Sequence, residues 1–121
     1  MPFICPNLRS VEERAVAGDG GCVALIRASV PGLRGAASSG WRQGAAVLGE
    51  QRIARGTAIA SFENGRYVNR ARLDRAAIFL AYAGAGIWVL EQRADDVGAT
   101  VQRRLIPSQI AATLSVIELH A

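Results

Sequence analysis

Gly18-Asp19-Gly20-Gly21-Cys22-Val23-Ala24-Leu25-Ile26 sets four residues that oppose both helix and strand directly before an apolar segment. This pattern predicts a loop over 18–21 and a mostly buried helix over Cys22–Ala28, ended near Pro31-Gly32. Cys22 is then the first residue of that helix. The unpaired N–H groups at a helix start carry partial positive charge, which favours a thiolate over a thiol. The same groups can hold the oxyanion that forms when sulfur attacks a carbonyl, and glycines in front let a substrate backbone come close. At this level Cys22 has two readings: a nucleophile, or an ordinary small core residue, because free cysteine is commonly buried.

Upstream of that stretch, Ser10-Val11-Glu12-Glu13 has the form of a capping box and predicts a short helix from about Ser10 to Ala17. Downstream, residues 33–40 are small and polar and predict a loop, and Trp41 to Leu48 is expected to form a turn of helix. From residue 57 the period changes. Thr57–Glu63 is strand-like, and Asn64-Gly65 is the strongest short hairpin signal available. Ala76–Tyr82 is an apolar run of buried-strand length, turned at Gly84-Ala85-Gly86 and returned by Ile87–Gln92. Thr100–Ile106 and Thr113–Leu119 supply two further strands, with Pro107 between them. Helices first and an antiparallel meander afterwards define an α+β class rather than an alternating doubly wound sheet.

The chain has 121 residues, half of them hydrophobic, which suits one domain over 1–121 with a real core. No apolar run approaches the ~18 residues that span a bilayer, which argues against a membrane span. Met1–Asn7 has neither a basic start nor an apolar stretch, so no standard signal peptide is expected. The net charge is +4 and all 14 cations are arginine. They are scattered among acids rather than clustered, which argues against a nucleic-acid surface, although attraction to an acidic polymer such as a cell wall remains compatible. Cys5 and Cys22 lie seventeen positions apart, without metal-site spacing, and the one histidine is His120. Neither a zinc site nor any other cofactor is expected.

Several segments in order resemble short papain-like amidases of the CHAP and NlpC kind: 18–26, Trp41-Arg42-Gln43-Gly44, Gly56–Phe62, Asn64-Gly65-Arg66-Tyr67, Ala76–Leu80 and Ile87–Gln92, with Pro6-Asn7 and Ser115–Glu118 at the ends. The resemblance implies N-terminal helices packed on a 4–6-stranded antiparallel sheet. It also implies cleavage of amide bonds in the peptide part of peptidoglycan, with a cysteine on a helix start, a histidine opening a strand and a polar residue on the next strand. Several small relatives act as antibacterial effectors delivered by type VI secretion. That would carry a cytoplasmic product without a signal peptide to a periplasm, with a cognate immunity protein as partner. Carried across, Cys22 takes the nucleophile position, and Glu91 or its neighbour Gln92 takes the orienting position. Gly20, Gly21, Trp41 and Tyr67 would border the substrate cleft, with Trp88 a further aromatic candidate.

The histidine position falls on Arg75. A general base must accept the thiol proton and later give one to the leaving amine; imidazole does both near neutral pH, and guanidinium, which stays protonated, does neither. The family usually has Gln or Glu immediately before the cysteine, where this chain has Gly21. His120 would have to fold back from the frayed end to substitute. Asp74 adjoins Arg75, but alternation sends neighbouring side chains to opposite faces. Two arrangements of Arg75 are open: facing Cys22 and favouring a standing thiolate, or pairing with Glu91 as a remnant of the triad. Cys5 has no chemical context and reads as packing. Two functions follow, a cysteine amidase impaired at its base, or a non-catalytic relative that binds wall peptides or a protein partner.

Overall fold

In a computed structural model of the chain, which describes residues 3–12, 21–68, 70, 74–92 and 101–119, every residue from Ala76 to Leu80 is buried. An unbroken apolar run, in place of alternation, belongs to a strand covered on both faces. This strand is β4 (Ala76–Ala83). The other described elements, in chain order, are α1 (Leu8–Val11), α2 (Cys22–Ser29), β1 (Trp41–Ala46), β2 (Ala58–Glu63), β3 (Arg66–Tyr67), β5 (Gly86–Glu91), β6 (Gln102–Pro107), α3 (Ser108–Ala111) and β7 (Leu114–Leu119). Two short 3₁₀ turns, Pro31–Leu33 and Ser38–Gly40, join α2 to β1.

The strands form one antiparallel sheet in the order β3-β1-β7-β2-β4-β5-β6, with β3 also paired to β2. The α+β class and the antiparallel sheet are as the sequence implies. The connectivity is more than a meander. β7 returns across the molecule to lie between β1 and β2, and the double pairing of β3 curls this end of the sheet on itself. Seven strands stand among the described residues, above the four to six expected, because Trp41–Ala46 is a strand and not a helical turn. Its partners decide this: Trp41, Arg42 and Gln43 lie opposite Leu119, Glu118 and Ile117 of β7, and Trp41 is fully buried. A short segment of mixed polarity takes the state its neighbours offer.

At the hairpin between β2 and β3, Asn64 (φ 54°) and Gly65 (φ 79°) are both left-handed, as the favoured two-residue turn requires. The first helix begins earlier than the capping-box pattern predicts. Asn7, not Ser10, is its N-cap, and the Asn7 side chain accepts the Ser10 N–H at 3.3 Å. The remainder of that expected helix, and the glycine loop through Gly20, lie outside the described residues.

On one sheet face α2 packs Leu25 and Ile26, both fully buried, against a cluster that includes Ala58, Ala60, Ala76, Ile78 and Leu90. Alanines at three of those positions let the helix approach the sheet closely, and each buried Leu or Ile contributes roughly 1.5–3 kcal/mol. The opposite face carries a second cluster, with Ile59, Phe79, Ile87, Val89 and Ile106 covered in part by Ala111 of α3. The sheet therefore has a core on each side.

Two features hold the periphery. Gly86 opens β5 opposite Pro107, and a Cβ there would collide with the Ile106 carbonyl oxygen. Gly84, in the same turn, faces open space. Arg103 on β6 makes a bidentate pair with Glu12 just past α1, both bonds at 3.0 Å. The hydrogen bond from Arg103, followed by its charge, lowers the Glu12 carboxyl below its ordinary value, and Glu12 raises Arg103.

Two predictions come from this geometry. Gly86→Ala should lower stability by about 2–3 kcal/mol, whereas Gly84→Ala should stay within about 0.5 kcal/mol; urea midpoints at pH 7 compare them. Glu12 binds its proton less readily folded than unfolded, so its pair with Arg103 stabilises above the unfolded value near 4.5. That contribution is lost as pH falls through the lower folded value. Wild type should thus exceed Arg103→Gln in urea midpoint at pH 7, and the gap should narrow as pH falls below 4.5.

Candidate active site

Gly21 precedes α2 in an extended conformation (φ −77°, ψ 164°), and Cys22 is the first helical residue. The loop-to-helix step read from the glycine run therefore places the sulfur at the helix start, where the first N–H groups lack intrahelical partners. The Gly21 carbonyl accepts the Leu25 N–H at 3.4 Å and the Gln92 side-chain N–H at 2.9 Å. Gln92 is fully buried. It fastens the end of β5 to the mouth of α2.

Glu91, the neighbour of Gln92, is 2 % exposed and lies between two guanidinium groups. Arg75 Nη1 donates to its Oε2 at 3.0 Å, and Arg104 Nε lies 3.4 Å from its Oε1. The Arg75 backbone is fixed from β2: its N–H donates to Ser61 Oγ at 3.0 Å, and its carbonyl accepts the Ser61 N–H at 2.9 Å. Of the two arrangements open to Arg75, the structure shows the pair with Glu91. Cys22 Sγ instead meets the Tyr67 hydroxyl at 3.4 Å.

Gly21, Cys22, Val23, Ala24, Arg27, Ser38 and Asp74 border a cavity of about 500 Å³. A smaller hollow of about 240 Å³ is bordered by Ser38, Ser39, Arg66 and Tyr67. Ser38 belongs to both, so the Cys22–Tyr67 contact lies where two recesses adjoin. Asp74 reaches the cavity because it precedes β4. Its neighbour Arg75 turns to Glu91, and the alternation that argued against Asp74 as a substitute for the missing base places it among the residues bordering the Cys22 cavity. Ser61, Arg27 and Arg104 carry no motif and were invisible in the sequence; only the sheet register brings them to these positions.

Trp41 does not border the cleft, contrary to expectation. It is fully buried and stacks edge-on against Tyr67, with ring centroids 5.0 Å apart. It supports Tyr67 from beneath, because the strand β1 turns it inward. Trp88 is exposed on β5 opposite Leu105, away from the residues bordering either recess. Gly20 and His120 lie outside the described residues. Cys5 is buried, donates its backbone N–H to the Gly56 carbonyl at 2.8 Å, and is a free thiol, as is Cys22. Among the described residues no group of three His, Cys, Asp or Glu side chains could hold a metal ion, and no helix is long and apolar enough to cross a membrane.

An α+β fold that presents a free cysteine at a helix start, bordering a recess, has the architecture of an amidase effector. Residues 2–115 match the family described as domesticated amidase effector 2, and the chain belongs to that family. It is 40 % identical over 98 residues to a type VI secretion amidase effector 2 protein of Salmonella typhi, covering 80 % of this chain and 71 % of that protein. The solved structure of a type 6 secretion amidase effector 2 superposes with a TM-score of 0.85 at 32 % identity, over 100 % of this chain and 97 % of that one.

The double clamp on Glu91 predicts non-additive energetics. Arg75→Ala or Arg104→Ala alone should cost about 1–2 kcal/mol, because one guanidinium remains. The double variant strands a buried carboxylate and should lose more than the sum. Urea unfolding of the four proteins measures this; additive losses would show that the carboxylate is solvated.

Proposed function

We propose that this chain is a papain-like cysteine amidase directed at the peptide amide bonds of bacterial peptidoglycan, impaired because Arg75 stands where its base would be. The family supports the substrate class and the amidase chemistry. The observation that carries the impairment is the ion pair between Arg75 and Glu91 at 3.0 Å.

In an amidase of this kind the sulfur attacks the scissile carbonyl, the N–H groups at the start of α2 hold the oxyanion, and an imidazole moves the proton from thiol to leaving amine. This chain keeps the first two elements. Cys22 is at the helix start, a recess opens beside it, and Tyr67 adds a hydroxyl next to the sulfur. The third is missing: Glu91, which would orient an imidazole, is engaged by a guanidinium that cannot exchange a proton near neutral pH. Losing one member of a serine-protease triad costs roughly 10⁴- to 10⁶-fold in rate, and a loss of that order is expected here. Secretion into a target periplasm fits the effector relatives, and an immunity protein would accompany an active member of the group.

The alternative is a protein that keeps the recess only to bind wall peptides or a protein partner. Purified peptidoglycan digested with wild type, Arg75→His and Cys22→Ala, with products resolved by chromatography, decides between them. Arg75→His should release products at least about 10²-fold faster than wild type, and Cys22→Ala should release none. Fast, Cys22-dependent release by wild type would overturn the impairment, and silence of all three would favour a pure binder.

A further inference from the structure

Among the described residues β6 ends the sheet and is paired on one side only, with β5. At the other end β3 pairs with both β1 and β2, so β6 is the open edge. Opposite residues of an antiparallel pair exchange hydrogen bonds at every second position. Ser108 donates its backbone N–H to the Ala85 carbonyl at 3.0 Å. By that alternation Gln102, Arg104 and Ile106 bond to β5, while Arg103 and Leu105 turn both backbone groups outward. Pro107 turns out a carbonyl alone. Trp88 and Leu105 lie directly opposite each other, share a sheet face, and are 38 % and 40 % exposed. Edge strands are commonly guarded by charge. Here both arginines of β6 are answered within the molecule, Arg103 by Glu12 at 3.0 Å and Arg104 by Glu91 at 3.4 Å. The middle of the edge is left to Leu105.

One antiparallel register makes this strand complementary to itself. Centred on Leu105, it sets Leu105 against Leu105, Arg103 against Pro107 and Arg104 against Ile106. Registers centred on Arg103 or Arg104 set like charges directly opposite, which is destabilising. A register centred on Ile106 sets Leu105 against Pro107, which has no N–H to return. We infer that two copies of this chain associate through β6 in the register centred on Leu105, forming one continuous antiparallel sheet. The two Leu105 residues exchange backbone hydrogen bonds, and each Arg103 N–H donates to the Pro107 carbonyl of the other copy. Trp88 and Leu105 of both copies then make a single apolar row across the joint. A contact of this length is small, so the dissociation constant is on the order of 10–100 μM. Neither Trp88 nor Leu105 borders the recesses at Cys22 and Tyr67, and both recesses of each copy stay open in the pair.

Sedimentation velocity of the full chain, from about 5 μM to about 500 μM to bracket that constant, tests the assignment. Wild type should shift from monomer to dimer over that range. Leu105→Lys, which sets two cations opposite each other at the joint, should weaken association at least about 10-fold. Ile110→Lys, at an equally exposed position on α3, should leave it unchanged. Urea midpoints near wild type for both variants establish that they are folded. The register has its own readout. Hydrogen-bonded opposite residues stand about 5.5 Å apart at Cα, within the span of a disulfide. Leu105→Cys should therefore be linked into a covalent dimer by oxidised glutathione. Pro107→Cys, whose two copies would lie about 13 Å apart, should not. A wild type that stays monomeric at every concentration overturns self-pairing and leaves the edge to a strand of another protein. Association that survives Leu105→Lys, or linking at position 107 as readily as at 105, overturns this joint as well.

Discussion

A carboxylate that is 2 % exposed cannot rely on water, and its charge must be answered by neighbouring cations. Glu91 has two, and the surroundings of the candidate site are organised by that requirement. Arg75 answers it from the segment before β4, and the Arg75 backbone is tied to Ser61 of β2. Arg104 answers it from β6. The next residue along the chain, Gln92, reaches the Gly21 carbonyl and so fixes the start of α2. From a single buried charge, contacts run to three strands and to the helix that carries the sulfur. The position of Cys22 therefore depends on the end of β5 as much as on the glycine loop before it.

The two walls of the site have different origins. Cys22 belongs to a helix held on the sheet by Leu25 and Ile26, fully buried against small side chains. Tyr67 comes from the two-residue strand β3, placed by the Asn64-Gly65 turn and by pairing with both β1 and β2. Trp41 beneath Tyr67 joins them, since it is core to the helix layer and at the same time packs on the phenol ring. Substituting Trp41 would thus act on the site through packing rather than through contact with a ligand.

Much of this was legible in the residues. The glycine run before an apolar stretch places Cys22 on a helix start because backbone freedom and hydrophobicity change at one point. Asn64-Gly65 specifies its turn because both residues tolerate a left-handed backbone. The unbroken run Ala76–Leu80 announces a strand buried on both faces. What stayed hidden depends on partners far away in sequence. Trp41–Ala46 becomes a strand because β7, some seventy residues later, lies beside it, and no local property of the segment announces that. Asp74 was set aside because alternation separates it from Arg75; the same alternation delivers it to the Cys22 cavity. Ser38, Arg27 and Ser61 show no pattern at all, since only tertiary packing gives them neighbours.

Arginine at position 75 separates two demands that a histidine would meet together. A buried carboxylate on the next strand needs a cation of suitable reach, and guanidinium supplies a permanent one with directional donors. Proton transfer needs a group that gains and loses a proton near neutral pH, which guanidinium does not. An arginine here satisfies the first demand more firmly than an imidazole, which is charged only part of the time. On the proposed function, the fold thereby keeps its ion pair, its anchored Gln92 and its helix start while doing without a proton relay. On the proposed function this is why the chain can depart from the family pattern at its most chemical position without losing the structure around it. A neutral residue at position 75 would have removed the relay and left Glu91 to Arg104 alone.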